Sequence, residues 1–414
     1  MLDELDQPTF VEVIENPSDV GVQNVVHLLP QKRIRQRVQC LMLAASGSKT
    51  IREAENTALE VGYAGNSGVH LTSGYDQNRI PQSDWLVGAF TSGAQQNALR
   101  PAGNFGSIST FNRQGHSSYN ALQILFRSKW GNLDLQASYT WSHSISDVDL
   151  TFSSGTALDG AFSDPSDTGI DNGNSTINRP QIFVANEVYY MPRFQNRSAL
   201  VRDTLGGWEV NSIVTAMSGA SMNMFLYGVT DVQTNWAPAV VRENSCGTSG
   251  GNQGCTLQSL TGTAFRFTDR PNAAGANCDS GSNGYQVWNP KAITLVGFSI
   301  GSLGTAPRGM CFGPDLVNVD IQFAKNWTFK ERFRLKFSID AFNLFNHTQF
   351  RGDNGFNQGI TGNVNCGPAD RNAQYQPCGP SNRVITRRDS PGTFGQATTT
   401  RPAREFQYGL KLTF

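Results

Sequence analysis

Glu405-Phe406-Gln407-Tyr408-Gly409-Leu410-Lys411-Leu412-Thr413-Phe414 closes the sequence. Phe406, Tyr408, Leu410, Leu412 and Phe414 are apolar, and Gln407, Gly409, Lys411 and Thr413 between them are polar or small. Successive side chains of an extended strand point to opposite faces, so this stretch has one greasy face and one wet face. Two settings fit it: the edge of a soluble sheet, or a strand with lipid on one side and water on the other.

The same pattern recurs upstream. Leu133, Leu135, Ala137, Tyr139 and Trp141 alternate with Asp134, Gln136, Ser138, Thr140 and Ser142 without an error. A tilted strand needs about ten residues to cross a bilayer, whereas strands of soluble sheets average about five or six. Leu122, Ile124 and Phe126 lead into this strand through a turn at Trp130-Gly131-Asn132. A later hairpin sets Val317, Val319, Ile321 and Phe323 against Phe333, Leu335, Phe337, Ile339 and Ala341, with Lys330-Glu331 at the turn. Weaker strand signals lie at 181–190, 208–216 and 222–227, and 59–71 reads as a hairpin turning at Gly65-Asn66-Ser67-Gly68. Between them, 74–115, 143–178, 228–315 and 351–402 read as long polar loops, which are functional or disordered in compact domains. Ten or eleven strands are legible. Short turns alternate with long loops, the asymmetry of outer-membrane barrels.

Composition agrees. Charged residues make up 16% of the 414 and glycine accounts for 42, so turn chemistry is abundant and charge is sparse. The sequence has no apolar run of the ~18 residues a membrane helix requires, so a membrane location means a closed barrel. The fold class expected is all-β, an antiparallel transmembrane β-barrel, partial, with long extracellular loops. A soluble β-sandwich, an adhesin or a carbohydrate-binding module, is the rival. Residues 1–55 are poorly defined and suit an irregular or short helical segment; Lys32, Arg33, Arg35 and Arg37 before Leu41-Met42-Leu43-Ala44-Ala45 only crudely imitate a secretory signal. The expectation is a fragment whose natural N-terminus lies upstream, with 56–414 forming the barrel part.

Nothing in the sequence points to an enzyme, a metal or a cofactor, and a net charge of zero argues against a nucleic-acid partner. Gly247-Thr248-Ser249-Gly250-Gly251 fits Gly-x-Ser-x-Gly but lacks the strand and helix that a nucleophile elbow needs. His116 and His143 have no partnered third group. The aspartates from 147 to 171 miss the calcium-loop spacing. The seven cysteines, at 40, 246, 255, 278, 311, 366 and 378, contain no Cys-x-x-Cys; Cys246 with Cys255, or Cys366 with Cys378, could close short loops in an oxidising compartment, and free loop thiols are the other reading.

A resemblance sharpens the picture. Asn56-Thr-Ala-Leu-Glu-Val-Gly-Tyr-Ala-Gly, Ser118-Tyr-Asn-Ala-Leu-Gln, Ala137-Ser-Tyr-Thr-Trp-Ser-His-Ser-Ile-Ser-Asp, Gly206-Gly-Trp-Glu-Val, Val319-Asp-Ile-Gln-Phe-Ala-Lys-Asn, Asp340-Ala-Phe-Asn-Leu-Phe-Asn-His and Phe406-Gln-Tyr-Gly-Leu-Lys-Leu resemble the C-terminal barrel half of TonB-dependent outer-membrane receptors. The branch is the Oar-like one, with an N-terminal carboxypeptidase-regulatory-like domain. The terminal aromatic resembles the sorting signal read by the barrel-insertion machinery, which makes Phe406, Tyr408, Leu410, Leu412 and Phe414 the sorting strand. The resemblance implies uptake of a large solute such as a siderophore or glycan piece, driven by the TonB complex through a plug absent from this chain. A passive porin-like pore or a cell-surface assembly protein is the alternative. No ligand-binding residue carries over.

Overall fold

In the computed structural model the described residues are 22–28, 41–54, 56–89, 93–148, 167–229, 232–234, 255–257, 270–280, 285–295, 298–329, 333–352, 359–366, 383–388 and 394–414. Ten strands run in chain order: β1 Val22–Leu28, β2 Leu41–Ala54, β3 Thr57–Asp76, β4 Ser109–Trp130, β5 Leu133–Ser146, β6 Gln181–Tyr190, β7 Trp208–Met217, β8 Leu316–Phe329, β9 Phe333–Phe342 and β10 Glu405–Thr413. Each pairs antiparallel with the next, and the two-residue strand Gly173–Asn174 beside β5 completes an 11-stranded sheet. The architecture is an all-β up-and-down meander. Its first and last strands each have one neighbour in the sheet.

The connections segregate by length. At one end β4 turns into β5 through Gly131-Asn132, with Gly131 in the left-handed region at φ 56, where a side chain is strained. The β2–β3 and β8–β9 connections are also short and lie at this end, as does the end of β10. At the other end the chain makes its long excursions, 77–108, 147–180, 218–315 and 343–404.

Several expectations are corrected here. The segment expected to be irregular or helical within 1–55 contains β1 and β2, which extend the sheet. The turn expected at Gly65–Gly68 does not form. Instead β3 runs straight through it, because Gly65 to Gly68 are laddered to β2 on one side and β4 on the other. The irregularity sits just beyond, where the register shifts between Gly68 and Leu71 and His70 takes a φ of 57. The loop expected at 74–115 is shorter, since β4 already begins at Ser109, and it holds two short helices, Trp85–Gly88 and Gly93–Ala98. The strand expected at 222–227 is split into Ser221–Met222 and Phe225–Val229, and neither joins the main sheet.

The main hydrophobic core lies in the long connections and not in the sheet. Met222, Met224, Leu226, Trp288, Leu295, Phe298 and Phe394 are buried together with Val87. These residues come from three different excursions, and they make a folded cap over the loop end. The Trp288 and Phe394 rings lie 5.6 Å apart, and the Trp288 indole N–H donates to the Phe312 carbonyl at 2.6 Å. Ser221–Met222 pairs with Cys311–Phe312, and Cys311 is joined to Cys278 by a disulfide. A bridge closing a loop of this length contributes about 2–4 kcal/mol in the chain-entropy account.

Candidate functional site

The feature that defines this molecule's role is the difference between the two faces of its sheet. Register brings the apolar positions into continuous rows. Val61, Ile124, Tyr139, Phe183 and Ala216 follow one another across β3 to β7, and Val210, Phe323, Ile339 and Tyr408 across β7 to β10. On β10, Phe406, Tyr408, Leu410 and Leu412 stand opposite Ala341, Ile339, Phe337 and Leu335. All four are exposed, Leu410 at 72%, and Phe414 just past the strand is 92% exposed. An apolar surface spread over so many strands is too large for a soluble monomer to show to water.

The height of this surface fits a bilayer. The residues from Leu133 to Trp141 on β5 cover roughly 26 Å of strand and about 20 Å of height at a tilt of about 40°, near the ~25 Å band of outer-membrane barrels. Aromatic residues gather at both margins: Tyr139, Trp141 and Phe406 toward the loop end, and Trp130, Trp208, Trp327, Phe329 and Phe333 toward the turn end. Glu187 and Lys325 are charged groups on this face near the turn end, and each has partners. The Glu187 carboxylate accepts from the Ser212 hydroxyl at 2.8 Å, and Lys325, 3% exposed, is covered by Trp208 and Trp327.

The opposite face is polar. One of its rows reads Lys129, Asp134, Val188, Asn211, Gln322, Asp340, Gln407, and another reads Arg127, Gln136, Asn186, Ile213, Asp320. Gln322 donates to Asp340 Oδ1 and accepts from Asn211 Nδ2 at 3.0 Å, while Lys129 and Asp134 pair at 3.1 Å. Asp320 Oδ1 accepts from Asn318 and from the Asn343 backbone, both at 2.8 Å. Mixed charges and amides already bonded to one another make a wetted wall, with Arg334, Lys336 and Lys411 adding a cationic margin beside the turns.

The loop end holds buried polar knots. Asp76 Oδ2 receives Arg100 Nη1 at 2.7 Å, and Asp76 Oδ1 receives the backbone N–H groups of Asn78 and Ile108 at 3.0 and 2.8 Å. Asn78 Nδ2 donates to the carbonyls of Ala102, Phe105 and Gly106, and its Oδ1 accepts from Ala102 N–H at 2.7 Å. Asp171 and Arg270 form a second buried pair at 3.4 Å; burial pushes the Arg270 guanidinium below its ordinary pKa, and the Asp171 charge offsets part of that. These groups explain how polar, aperiodic sequence becomes ordered: each buried charge finds a partner.

The candidate residues for chemistry are spread out and structurally employed. His116 Nδ1 lies 3.1 Å from Asp147 Oδ2, and the Asp147 carbonyl accepts from Arg308 at 2.6 Å. His143 Nε2 lies 2.8 Å from Asn174 Oδ1. Asp147 and Asp171 are therefore each committed to a separate contact, and no group of three metal-binding side chains occurs among the described residues. Gly247–Gly251, Cys40, Cys246 and Cys378 lie outside the described residues, as do both short-loop pairings that the sequence suggests. Cys278 and Cys311 are 33 residues apart within one connection, so their disulfide closes a longer loop than either pairing the sequence suggests.

Comparison with known proteins places this geometry. A family model described as an outer membrane beta barrel domain matches residues 52–407, and the chain belongs to that family. The protein is a β-barrel protein of the cell outer membrane, and the apolar face is its lipid-facing wall. No curated protein matches the chain. Among solved structures it is similar to the outer membrane transporter YddB from Escherichia coli, with a TM-score of 0.35 and 8% identity over 77% of this chain. The aligned part is 30% of that structure's length.

Proposed function

We propose that this chain is the barrel portion of an Oar-like, TonB-dependent outer-membrane receptor, a transporter and not an enzyme, that takes up a large solute such as a siderophore or glycan fragment. The observation that carries the proposal is the pairing of a wetted, charge-lined inner wall with a folded cap over the loop end of the same sheet. A cap with its own core and disulfide is a surface on which a large solute can be held before it passes inward. The test is uptake in cells with and without the inner-membrane energy-coupling protein. Loss of uptake without that protein is expected; uptake unaffected by its removal would instead assign a passive pore.

The same proposal makes β10 with Phe414 the strand read by the barrel-insertion machinery. Phe414→Asp in the full-length parent should leave the protein unfolded in the periplasm, whereas Thr413→Asp, opposite Arg334 on the inner wall, should be tolerated. A charge at the bilayer boundary costs only about 0–1 kcal/mol, too little to unfold a barrel, so the effect expected is on assembly. Equal amounts of folded outer-membrane protein from both variants would rule the sorting role out.

A further inference from the structure

Most connections at the turn end are short, but the one between β6 and β7, residues 191–207, is not. It contains a helix, Ala199–Leu205, whose Gly206 cap N–H bonds the Val201 and Arg202 carbonyls, leaving those of Asp203 and Thr204 without helical partners. Side chains from the lipid-facing wall supply them. Trp208 Nε1 donates to the Thr204 carbonyl at 2.9 Å and Trp327 Nε1 to the Asp203 carbonyl at 3.2 Å. Lys325 Nζ donates to the carbonyls of Thr204 at 3.1 Å and Gly206 at 2.6 Å. Lys325 and Trp327 occupy the same face as Phe323 and stand opposite Phe337 and Leu335. The end of the helix is therefore fastened over the outer wall, at the membrane margin and not under the lumen. A cation at a helix C-terminus also suits the helix dipole.

Most of the rest of this connection is exposed. Leu200 and Leu205 are 75% and 60% exposed, and Phe194 is exposed as well, on a backbone held at φ 50. Arg193, Arg197 and Arg202 are exposed beside them, and the only acidic residue from 191 to 207 is Asp203. The Asp203 carboxylate accepts hydrogen bonds from the Arg202 guanidinium, and that bonding, with the Arg202 charge adding to it, holds it below the usual carboxylate range. Exposed apolar groups next to a cationic excess, continuous with a lipid-facing band, have the chemistry of an interfacial anchor.

We propose that residues 191–207 form an anchoring foot that lies in the periplasmic leaflet, with Phe194, Leu200 and Leu205 among the acyl chains and the arginines on anionic phospholipid headgroups. The inference depends on the barrel fold and not on what is transported. Its occupant is lipid because the foot continues the lipid-facing surface and its charge complements an anionic leaflet.

The test is hydrogen exchange of peptide 193–207 in the full chain, reconstituted into phosphatidylcholine vesicles with and without phosphatidylglycerol. Amides of the foot are expected to exchange about tenfold more slowly when the anionic lipid is present. Arg193→Gln with Arg197→Gln should abolish that difference, and Leu200→Asn with Leu205→Asn should speed exchange in both membranes. Unchanged protection of β6 and β7 shows in each case that the barrel is intact. Exchange that is the same in both lipids and in all variants would overturn the proposal. A chain that does not enter vesicles would overturn it too, and the loss of strand protection would identify the barrel, not the foot, as the failure.

Discussion

Phe323→Arg should lower the stability of the membrane-inserted protein by about 2–4 kcal/mol, the cost of a cationic side chain near the middle of the lipid face of a barrel. Phe323 lies between Val210 and Ile339 within the apolar band, and the site toward the turn-end margin is already occupied by the Lys325 cation, so a guanidinium turned that way meets like charge and not water. Asn186→Arg is the matched control, since Asn186 stands between Gln136 and Ile213 on the inner wall and is exposed. It should change stability by no more than about 0.5 kcal/mol, as ordinary exposed substitutions do. Urea titration of the refolded protein in vesicles measures both. If the two arginines cost the same, the assignment of faces is wrong.

Asp76→Ala should have the largest effect at the loop end. Arg100 is buried and its carboxylate partner is Asp76, so truncating the aspartate strands a cation and also deprives the Asn78 and Ile108 amides of their acceptor. Breaking one side of a buried pair typically costs about 3–5 kcal/mol. The damage should stay between β3 and β4, appearing as faster hydrogen exchange over 77–108 while the sheet keeps its protection. Adding Arg100→Met should recover a large part of the loss, because the penalty arises from the unpaired charge. A double variant as unstable as the single one would mean that the bonds from Asp76 to the backbone, and not the ion pair, hold the connection.

The parts of this fold that can be read in the sequence are those pressed between lipid and water. From Leu133 to Ser142 each residue meets one solvent or the other, and the pattern is clean. The first half of β4, Ser-Thr-Phe-Asn-Arg-Gln-Gly-His-Ser-Ser, shows no alternation, because a strand rising beyond the membrane has water on both sides and no need for an apolar face. In the middle of β3, Gly65-Asn66-Ser67-Gly68 carries turn residues in a strand. There the ladders on both sides outweigh local preference. The cap was illegible for another reason: Trp288, Phe394, Leu226 and Val87 are isolated apolar residues in polar stretches, and their shared core is set by tertiary contact without any period. The lipid-side foot hid behind the expectation that connections at this end are short.

The meander also has a kinetic meaning. Every neighbour in the sheet from β1 to β10 is the next strand in the chain, so each strand can dock on the one just formed, and no step waits for a distant segment to diffuse into place. The cap is the opposite case. Its core needs Val87, Trp288 and Phe394 together, and these meet only after the strands between them have aligned. Yet the bridge from Cys278 to Cys311 lies within one connection, so in an oxidising compartment it can close before any strand has paired. The β7–β8 excursion can thus arrive at the membrane already stapled, leaving only the contacts to Val87 and Phe394 to be made last, when the sheet has brought their connections side by side.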